Sequence, residues 1–221
     1  GLSDLRAGRV VFVGDATKRI AEDHLRILRF FRFHALYGDP MAGLDPQALA
    51  ACAQAIGGIS ALSSERIGAE MRKLLSAPNP APAVSAMQAI GALALILPGS
   101  DTTALGPLVH FEQDKIPNFL RRLAVLGGPV DAPRLRLSRA EARGLSVLRQ
   151  EMGTPTQAAE LAYLFGFDLA LSVLLCRAAV FETPLSGDLA FALALGAGAV
   201  FPLRGADLDP SLRGPQIGAR L

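Results

Sequence analysis

Tryptophan is absent from this chain of 221 residues, cysteine occurs only twice, and charged residues make up only 19% of the sequence. Cys52 and Cys176 are too few for a disulfide framework and lack metal-site spacing, which favours a reducing compartment, the cytoplasm. Because hydrophobic residues reach 51%, a disordered chain is excluded. The longest uncharged apolar run, residues 189–203, spans 15 residues and is too short to cross a membrane, so no membrane partner is predicted.

Lysine is also scarce, since the sequence has 3 lysines against 19 arginines and a formal net charge of only +2. Two explanations of this imbalance remain open. A G+C-rich genome raises the arginine content of every protein it encodes. Phosphate recognition also favours arginine, because the planar guanidinium group matches the geometry of a phosphate better than an ammonium does.

Self-contained catalytic motifs are missing, because the sequence has no GxxxxGK[ST], GxSxG, HExxH or CxxC segment. The three histidines are far apart in the sequence, and His24 lies on an apolar stripe where a packed core histidine is expected. No metal site and no Ser/His/Asp triad is therefore predicted. The chain begins at Gly1 without an initiator methionine or a signal peptide, and we expect it to be part of a longer protein.

Helical periodicity dominates the sequence after a single strand signal. The β-branched and aromatic run at residues 9–13 predicts one strand, which needs partner strands from outside this chain. Thr17 is the expected N-cap of one continuous helix that ends at Gly38. Further helix starts are predicted at Asp45, Ser63 and Ser138, and longer helices over residues 81–95 and 111–126. The predicted fold class is all-α, with one residual N-terminal β-strand.

The segment RIAEDHLRILRFFR places Asp23, Arg26, Arg29 and Arg32 at successive steps of three residues. On a helix Asp23 and Arg26 are neighbours, and together they offer an acceptor and fixed donors that suit the Watson–Crick edge of adenine or cytosine. Arg29 and Arg32 are then suited to a triphosphate. The alternative is that Arg19–Asp23 and Glu22–Arg26 are ordinary ion pairs on a solvated helix face.

A resemblance to a known family favours the first interpretation. VGDATKRIAEDHLRILRFFRFHA (residues 13–35) resembles the end of the head domain and the first neck helix of class II tRNA nucleotidyltransferases. These are the CCA-adding enzymes and their bacterial poly(A) polymerase relatives. EDHLR resembles the family motif EDxxR, SSERIGAEMRKLL (residues 63–75) resembles ERIxxExxKLL, and the tail at residues 201–221 resembles a G-x-DL segment followed by GP-x-IG.

The resemblance implies that Asp23 and Arg26 form a protein template for the base of incoming CTP or ATP. Arg29 and Arg32 become further nucleotide contacts, and the intact enzyme adds CCA to tRNA 3′ ends with Mg²⁺ bound by a catalytic head domain. The family's catalytic strand, with a Gly-Ser pair followed by D-x-D, and its RDFTxNA-type motif are not found here. This chain alone is therefore expected to lack metal ligands and to transfer no nucleotide.

The same resemblance implies a division of the chain into the end of the head (1–16), a nucleotide-selecting neck (17–98), a helical RNA-binding body (99–184) and a truncated tail (185–221). The body and tail are expected to hold the tRNA acceptor arm through phosphate contacts. The candidate contacts are Arg121, Arg122, Arg134, Arg136, Arg139 and Arg143. A solvated basic surface is the alternative explanation of this cluster.

Two other functions remain open at the level of sequence. The first is a fragment of a bacterial poly(A) polymerase, which uses the same base-selecting pair but makes an open-ended product. The second is a non-catalytic helical RNA-binding module. The sequence does not determine the oligomeric state.

Overall fold

The computed structural model describes residues 1–39, 41–113, 115–129 and 132–200. Within these residues the chain forms helices and no sheet, and the only β-type pairing is an isolated antiparallel bridge between Ser100 and Gly127. The predicted all-α fold is therefore confirmed. The tail motif at residues 201–221 lies outside the described residues. No described helix is both long enough and apolar enough to cross a bilayer.

The first half of the chain contains short and medium helices. In chain order these are α1 (Leu2–Arg6), α2 (Ala16–Glu22), α3 (Leu25–Tyr37), α4 (Pro46–Ala55), a 3-10 helix (Ile56–Ala61), α5 (Ser64–Leu75), α6 (Ala81–Ala89) and α7 (Ala92–Ile96). Helix α3 packs against α5 and α6, and α2 packs against α4. Buried side chains such as Phe31, Ile67 and Met71 fill this region.

The second half is arranged around a long apolar helix. Its elements are α8 (Leu105–Glu112), α9 (Phe119–Leu126), a 3-10 turn (Pro133–Leu135), α10 (Arg139–Met152), α11 (Ala158–Phe165), α12 (Phe167–Phe181) and α13 (Leu189–Gly198). Helix α12 packs against α8, α9 and α10, and α11 packs against α13. One hydrophobic cluster runs from Ile20 to Leu193, so the two halves share a core. The proposed domain boundaries stay a prediction.

The strand predicted at residues 9–13 is not found. The segment between α1 and α2 is irregular, and the nearest aromatic contact stacks Phe12 on Phe30 with ring centroids 5.6 Å apart. A strand requires hydrogen bonds to a neighbouring strand, and the described part of the chain supplies none for this segment. Its β-branched residues therefore do not form a strand here.

The single helix predicted from Thr17 to Gly38 is also wrong, because it is divided into α2 and α3 at Asp23 and His24. Asp15, and not Thr17, is the N-cap, and its carboxylate accepts a hydrogen bond from the backbone N–H of Lys18. At the break, Asp23 has extended backbone angles (φ −158°, ψ 106°). Asp23 therefore lies in a bend between two helices and not within a helical turn.

Other helix limits depend on local chemistry that the sequence showed. The predicted caps Asp45, Ser63 and Ser138 are confirmed, and Ser138 forms a capping box with Glu141. The predicted helix at residues 81–95 is interrupted at Gly91, whose φ of 81° is readily accessible only to glycine. The predicted helix at residues 111–126 is interrupted before Asn118, which caps α9.

Candidate nucleotide and RNA sites

The bend between α2 and α3 holds the carboxylate of Asp23. Its Oδ1 accepts the backbone N–H of Leu25 at 3.1 Å, and both oxygens accept Nη2 of Arg66, at 3.0 Å and 2.8 Å. Partial burial alone would raise the pKa of Asp23. The hydrogen bonds from Leu25 and Arg66, with the charges of Arg66 and Arg29, outweigh that effect, so the pKa is lowered and the group is ionised at neutral pH.

The side chain of Arg26 contacts the neighbouring helix α2 and not the carboxylate of Asp23. Its Nη1 donates to Oε2 of Glu22 at 2.5 Å and to the backbone carbonyl of Arg19 at 2.6 Å. Arg19 also donates to Glu22, so two arginines share one exposed carboxylate. The hydrogen bond from Arg26 is the main reason that the pKa of Glu22 is lowered.

The two members of the predicted template thus make separate ion pairs in this structure. Both remain accessible, because the side chain of Asp23 is 27% exposed and that of Arg26 is 26% exposed. The i,i+4 pair Glu22–Arg26 from the alternative interpretation is present, whereas Arg19 pairs with Glu22 and not with Asp23. A base that binds both Asp23 and Arg26 must compete with Glu22 for the guanidinium group.

A shallow cavity of about 230 Å³ lies beside this bend. One wall is apolar and is formed by residues 10–13 together with Phe30 and Phe33. The other wall carries the guanidinium-bearing side chains of Arg19, Arg26 and Arg29, whereas Asp23 does not line the cavity. Apolar and aromatic surface next to arginines suits a flat ring attached to an anionic group.

Arg29 and Arg32 converge on Glu70 of α5. The Nε of Arg32 lies 2.7 Å from Oε2 of Glu70, and the Nε of Arg29 lies 3.6 Å from Oε1. The side chain of Glu70 is only 6% exposed, and that of Arg32 is 16% exposed, whereas that of Arg29 is 46% exposed. Arg29 is therefore accessible to a triphosphate, and Arg32 mainly joins α3 to α5.

Arg121 and Arg122 do not form an RNA surface, and that prediction was wrong. Their side chains are 5% and 2% exposed, and both bind Glu112, with Nε to carboxylate distances of 2.7 Å and 2.9 Å. Arg122 also donates to the backbone carbonyls of Leu75, Ala77 and Pro78 at the end of α5. Ion pairing and burial make both side chains inaccessible to phosphate.

The other four candidates differ in their accessibility. Arg134 is half-buried, and its Nη2 donates to the carbonyl of Ile59 at 2.9 Å. Arg136, Arg139 and Arg143 are exposed at the start of α10 and in the turn before it. Arg136 lies 3.1 Å from Glu65 in a pair whose two side chains are each 65% exposed. Arg139 and Arg143 lie on one helix face, so these three arginines are the accessible part of the predicted RNA surface.

Sequence reasoning missed Arg66 and Glu70, which contact three of the four predicted nucleotide residues. Both belong to α5, which begins at the N-cap Ser63 and packs against α3. A signal was present, because both occur in the segment that resembles ERIxxExxKLL. Their partners could not be read from it, because Asp23 and Arg66 are 43 positions apart and depend on the packing of two helices.

Comparison with known proteins gives matches to both sequence and fold. Residues 43–103 match a family model described as "Probable RNA and SrmB- binding site of polymerase A". The chain is 45% identical over 75 residues to the human mitochondrial CCA tRNA nucleotidyltransferase 1, a match that covers 34% of this chain and 17% of that protein. It is 36% identical over 103 residues to the Multifunctional CCA protein of Halorhodospira halophila, covering 46% of this chain and 24% of that protein.

The matched sequence therefore corresponds to less than a quarter of either relative. Solved structures match over almost the whole chain. A CCA-adding enzyme in complex with ATP gives a TM-score of 0.64 at 16% identity, over 99% of this chain and 59% of that one. The Thermotoga maritima CCA-adding enzyme in complex with tRNA gives 0.63 at 17% identity, with the same coverage. The chain is therefore similar in part of its sequence to CCA tRNA nucleotidyltransferases, and similar in fold to solved CCA-adding enzymes.

Proposed function

We propose that this chain is the base-selecting and RNA-binding part of an enzyme that adds CCA to tRNA 3′ ends from CTP and ATP. The observation that carries the proposal is the 45% identity over 75 residues to a CCA tRNA nucleotidyltransferase. The curated relatives and the solved structures are CCA-adding enzymes, so poly(A) synthesis is not favoured. A purely scaffolding role leaves the cationic cavity beside Asp23 without a purpose.

In this proposal Asp23 and Arg26 select the base. The carboxylate accepts the exocyclic amino group of cytosine or adenine, and the guanidinium group donates to a ring nitrogen or carbonyl. Uracil presents a carbonyl oxygen where cytosine has its amino group, and it is rejected because two acceptors would face each other. Arg29, which lines the cavity and is 46% exposed, is then available to the triphosphate, with Arg32 behind it on Glu70.

Mg²⁺ would be held outside the part of the chain that the structure describes. Those residues contain no group of three or more His, Cys, Asp or Glu side chains that could bind a metal ion. Asp207 and Asp209 have D-x-D spacing, but they lie in the tail outside the described residues. The described residues bind and orient the nucleotide in this proposal. A cytoplasmic location fits the two buried free thiols.

The test of base selection is Asp23→Ala in the intact nucleotidyltransferase that contains this chain. We expect the preference for CTP and ATP over UTP and GTP, measured as ratios of kcat/KM, to fall about tenfold or more, because a good base contact contributes about 1–3 kcal/mol of discrimination. The matched control is Asp15→Ala, which removes a carboxylate that only caps α2. An unchanged nucleotide preference in Asp23→Ala would refute the assignment.

Product length on tRNA separates the two polymerase functions. A CCA-adding enzyme stops after three nucleotides, whereas a poly(A) polymerase extends an A-tract. We expect a tRNA without its 3′ end to gain C, C and A when CTP and ATP are both present. An open-ended product from ATP alone would favour the poly(A) polymerase instead.

A further inference from the structure

Arg66 reaches Asp23 from a different helix. It lies in the first turn of α5, its side chain is 47% exposed, and its Nη2 donates to both carboxylate oxygens of Asp23. The contact joins residues 43 positions apart, so it forms only when α5 lies beside the α2–α3 bend.

The hydrogen bonds at Asp23 leave one acceptor position open. Each carboxylate oxygen accepts about two hydrogen bonds. Oδ1 accepts the N–H of Leu25 and Nη2 of Arg66, and both of its positions are therefore filled. Oδ2 accepts only Nη2 of Arg66 among the described residues, so it retains one acceptor position. The carboxylate is thus fixed in orientation and presents one oxygen.

Contacts at both ends and in the middle of α5 hold this helix in place, and with it the contact between Arg66 and Asp23. Its start is capped by Ser63, whose Oγ accepts the backbone N–H of Arg66 itself at 3.4 Å. Its end is held by Arg122, which donates to the backbone carbonyl of its last residue, Leu75, and to those of Ala77 and Pro78 just after it. Between these points Glu70 binds Arg32 of α3 at 2.7 Å. The position of Arg66 relative to Asp23 is therefore set by helix packing.

We propose that Arg66 is a positioning residue for base selection. This inference rests on the proposed function. Arg66 and the N–H of Leu25 hold the Asp23 carboxylate so that Oδ2 alone meets the exocyclic amino group of cytosine or adenine. A carboxylate free to rotate would bind other donors of a base or water equally well, and discrimination against uracil and guanine would fall.

The ionisation of Asp23 supports this role. The hydrogen bond and the charge of Arg66 contribute to the lowered pKa of Asp23, whereas partial burial opposes them. Without Arg66, burial remains and the pKa rises. The protonated carboxyl group then donates where it should accept, and base selection is lost at a higher pH than in the wild type.

The experiment compares four forms of the intact nucleotidyltransferase: wild type, Arg66→Ala, Arg66→Lys and Lys73→Ala. Lys73 is exposed on the same helix, and its removal controls for the loss of one positive charge. The values of kcat and KM are measured for CTP, ATP, UTP and GTP between pH 5 and 8. Melting temperatures establish that each variant is folded, and Arg66→Lys carries the test if Arg66→Ala is not.

We expect Arg66→Ala to lower the CTP:UTP ratio of kcat/KM about tenfold, in the range of one lost base contact. The acidic limb of the CTP profile should move to higher pH, Arg66→Lys should recover part of the ratio, and Lys73→Ala should match the wild type. A uniform loss for all four nucleotides at every pH, or an unchanged ratio, would overturn the positioning role. If the wild type itself does not prefer CTP and ATP, the proposed function fails and not only this inference.

Discussion

Single residues in this chain show how packing changes the chemistry of a side chain. Asp23 and Glu22 are adjacent, yet Asp23 binds Arg66 of the distant helix α5 and Glu22 binds Arg26, four positions away at the start of α3. The spacing of three residues predicts that the side chains of Asp23 and Arg26 act as a pair. Because the chain bends between α2 and α3, each of them instead forms an ion pair with another residue. The acidic residue assigned to the base is therefore positioned by an arginine that lies 43 positions away.

His34 is expected to make the stability of the fold depend on pH. It is buried on α3 with an exposed fraction of 6%, and burial lowers its pKa. The folded state then keeps His34 neutral, while the unfolded chain takes up a proton below about pH 6.5. The contribution of neutral His34 to the free energy of unfolding is fully present above that pH. It decreases as the pH falls towards the lower pKa of the folded state.

Urea denaturation of the wild type and of His34→Gln between pH 7.5 and 5 tests this expectation. The wild type should lose stability faster on acidification, by at most about 1.4 kcal/mol per pH unit for one proton. The difference between the two proteins isolates His34 from His24 and His110. Parallel pH curves for the two proteins would show that His34 titrates equally in both states.

At the scale of elements, arginines cap the ends of helices. Arg149 donates to the carbonyls of Gly128 and Pro129 after α9, and Arg177 donates to the carbonyl of Glu151 in the last turn of α10. Arg26, Arg122 and Arg134 make comparable contacts to carbonyls at other helix ends. A guanidinium group satisfies several free carbonyls at once and favours the negative end of the helix dipole. The capping of helix ends is therefore a third explanation of the excess of arginine over lysine, beside a G+C-rich genome and phosphate recognition.

Arg122 is expected to contribute strongly to the stability of the fold. Its side chain is 2% exposed, it binds Glu112, and it caps the end of α5. Arg122→Ala leaves the Glu112 charge with Arg121 alone and leaves the carbonyls of Leu75 and Ala77 without this donor. We expect a loss of about 3–5 kcal/mol in the free energy of unfolding, as for other broken buried pairs.

The control is Arg139→Ala on the exposed face of α10, which should change stability by less than about 0.5 kcal/mol. Chemical denaturation of both variants measures the difference. Equal stabilities of Arg122→Ala and the wild type would show that the buried pair contributes nothing, and the phosphate-binding role of Arg122 would need to be considered again.

Local sequence signals predict where helices begin better than they predict which helices contact one another. Ser63 and Ser138 identified helix starts because an N-cap needs only a side chain that reaches a backbone N–H three residues on. The continuous helix from Thr17 was predicted because the apolar spacing continues through the bend. Asp23 interrupts it by accepting the N–H of Leu25, which is a local competition that aspartate often provides.

In the candidate site, too, the sequence predicts residues better than it predicts their contacts. Arg29 and Arg26 were identified from spacing and resemblance, and both line the cationic cavity. The sequence predicts Arg121 and Arg122 as RNA contacts because they are basic, and no property of the sequence shows that they are buried with Glu112. Burial of a charged residue depends on a partner that is distant in the sequence, so composition alone assigned these arginines to the surface.

Across the whole molecule, two of the exposed arginine groups belong to the candidate binding surfaces. The cavity with Arg19, Arg26 and Arg29 lies beside the α2–α3 bend, and the second group lies at the start of α10. The close approach of α5 to the 3-10 turn before α10 depends on Gly68, because a Cβ there would lie 2.4 Å from the carbonyl oxygen of Leu135. Gly68 thus allows α5 to lie against the turn that precedes the predicted RNA surface.

RNA binding by this chain is expected to depend on the exposed arginines of α10. Arg139 and Arg143 are exposed on one face of α10, and each phosphate contact releases condensed counterions, which makes the affinity depend on salt. Arg143→Ala should weaken binding to a tRNA acceptor stem and reduce the slope of log affinity against log salt by about one unit. Arg9→Ala, which removes an exposed charge paired with Asp4, is the control and should leave the slope unchanged. Fluorescence anisotropy between 50 and 300 mM salt measures both. Equal slopes in Arg143→Ala and the wild type would assign Arg143 to a solvated surface, the alternative interpretation of the basic cluster.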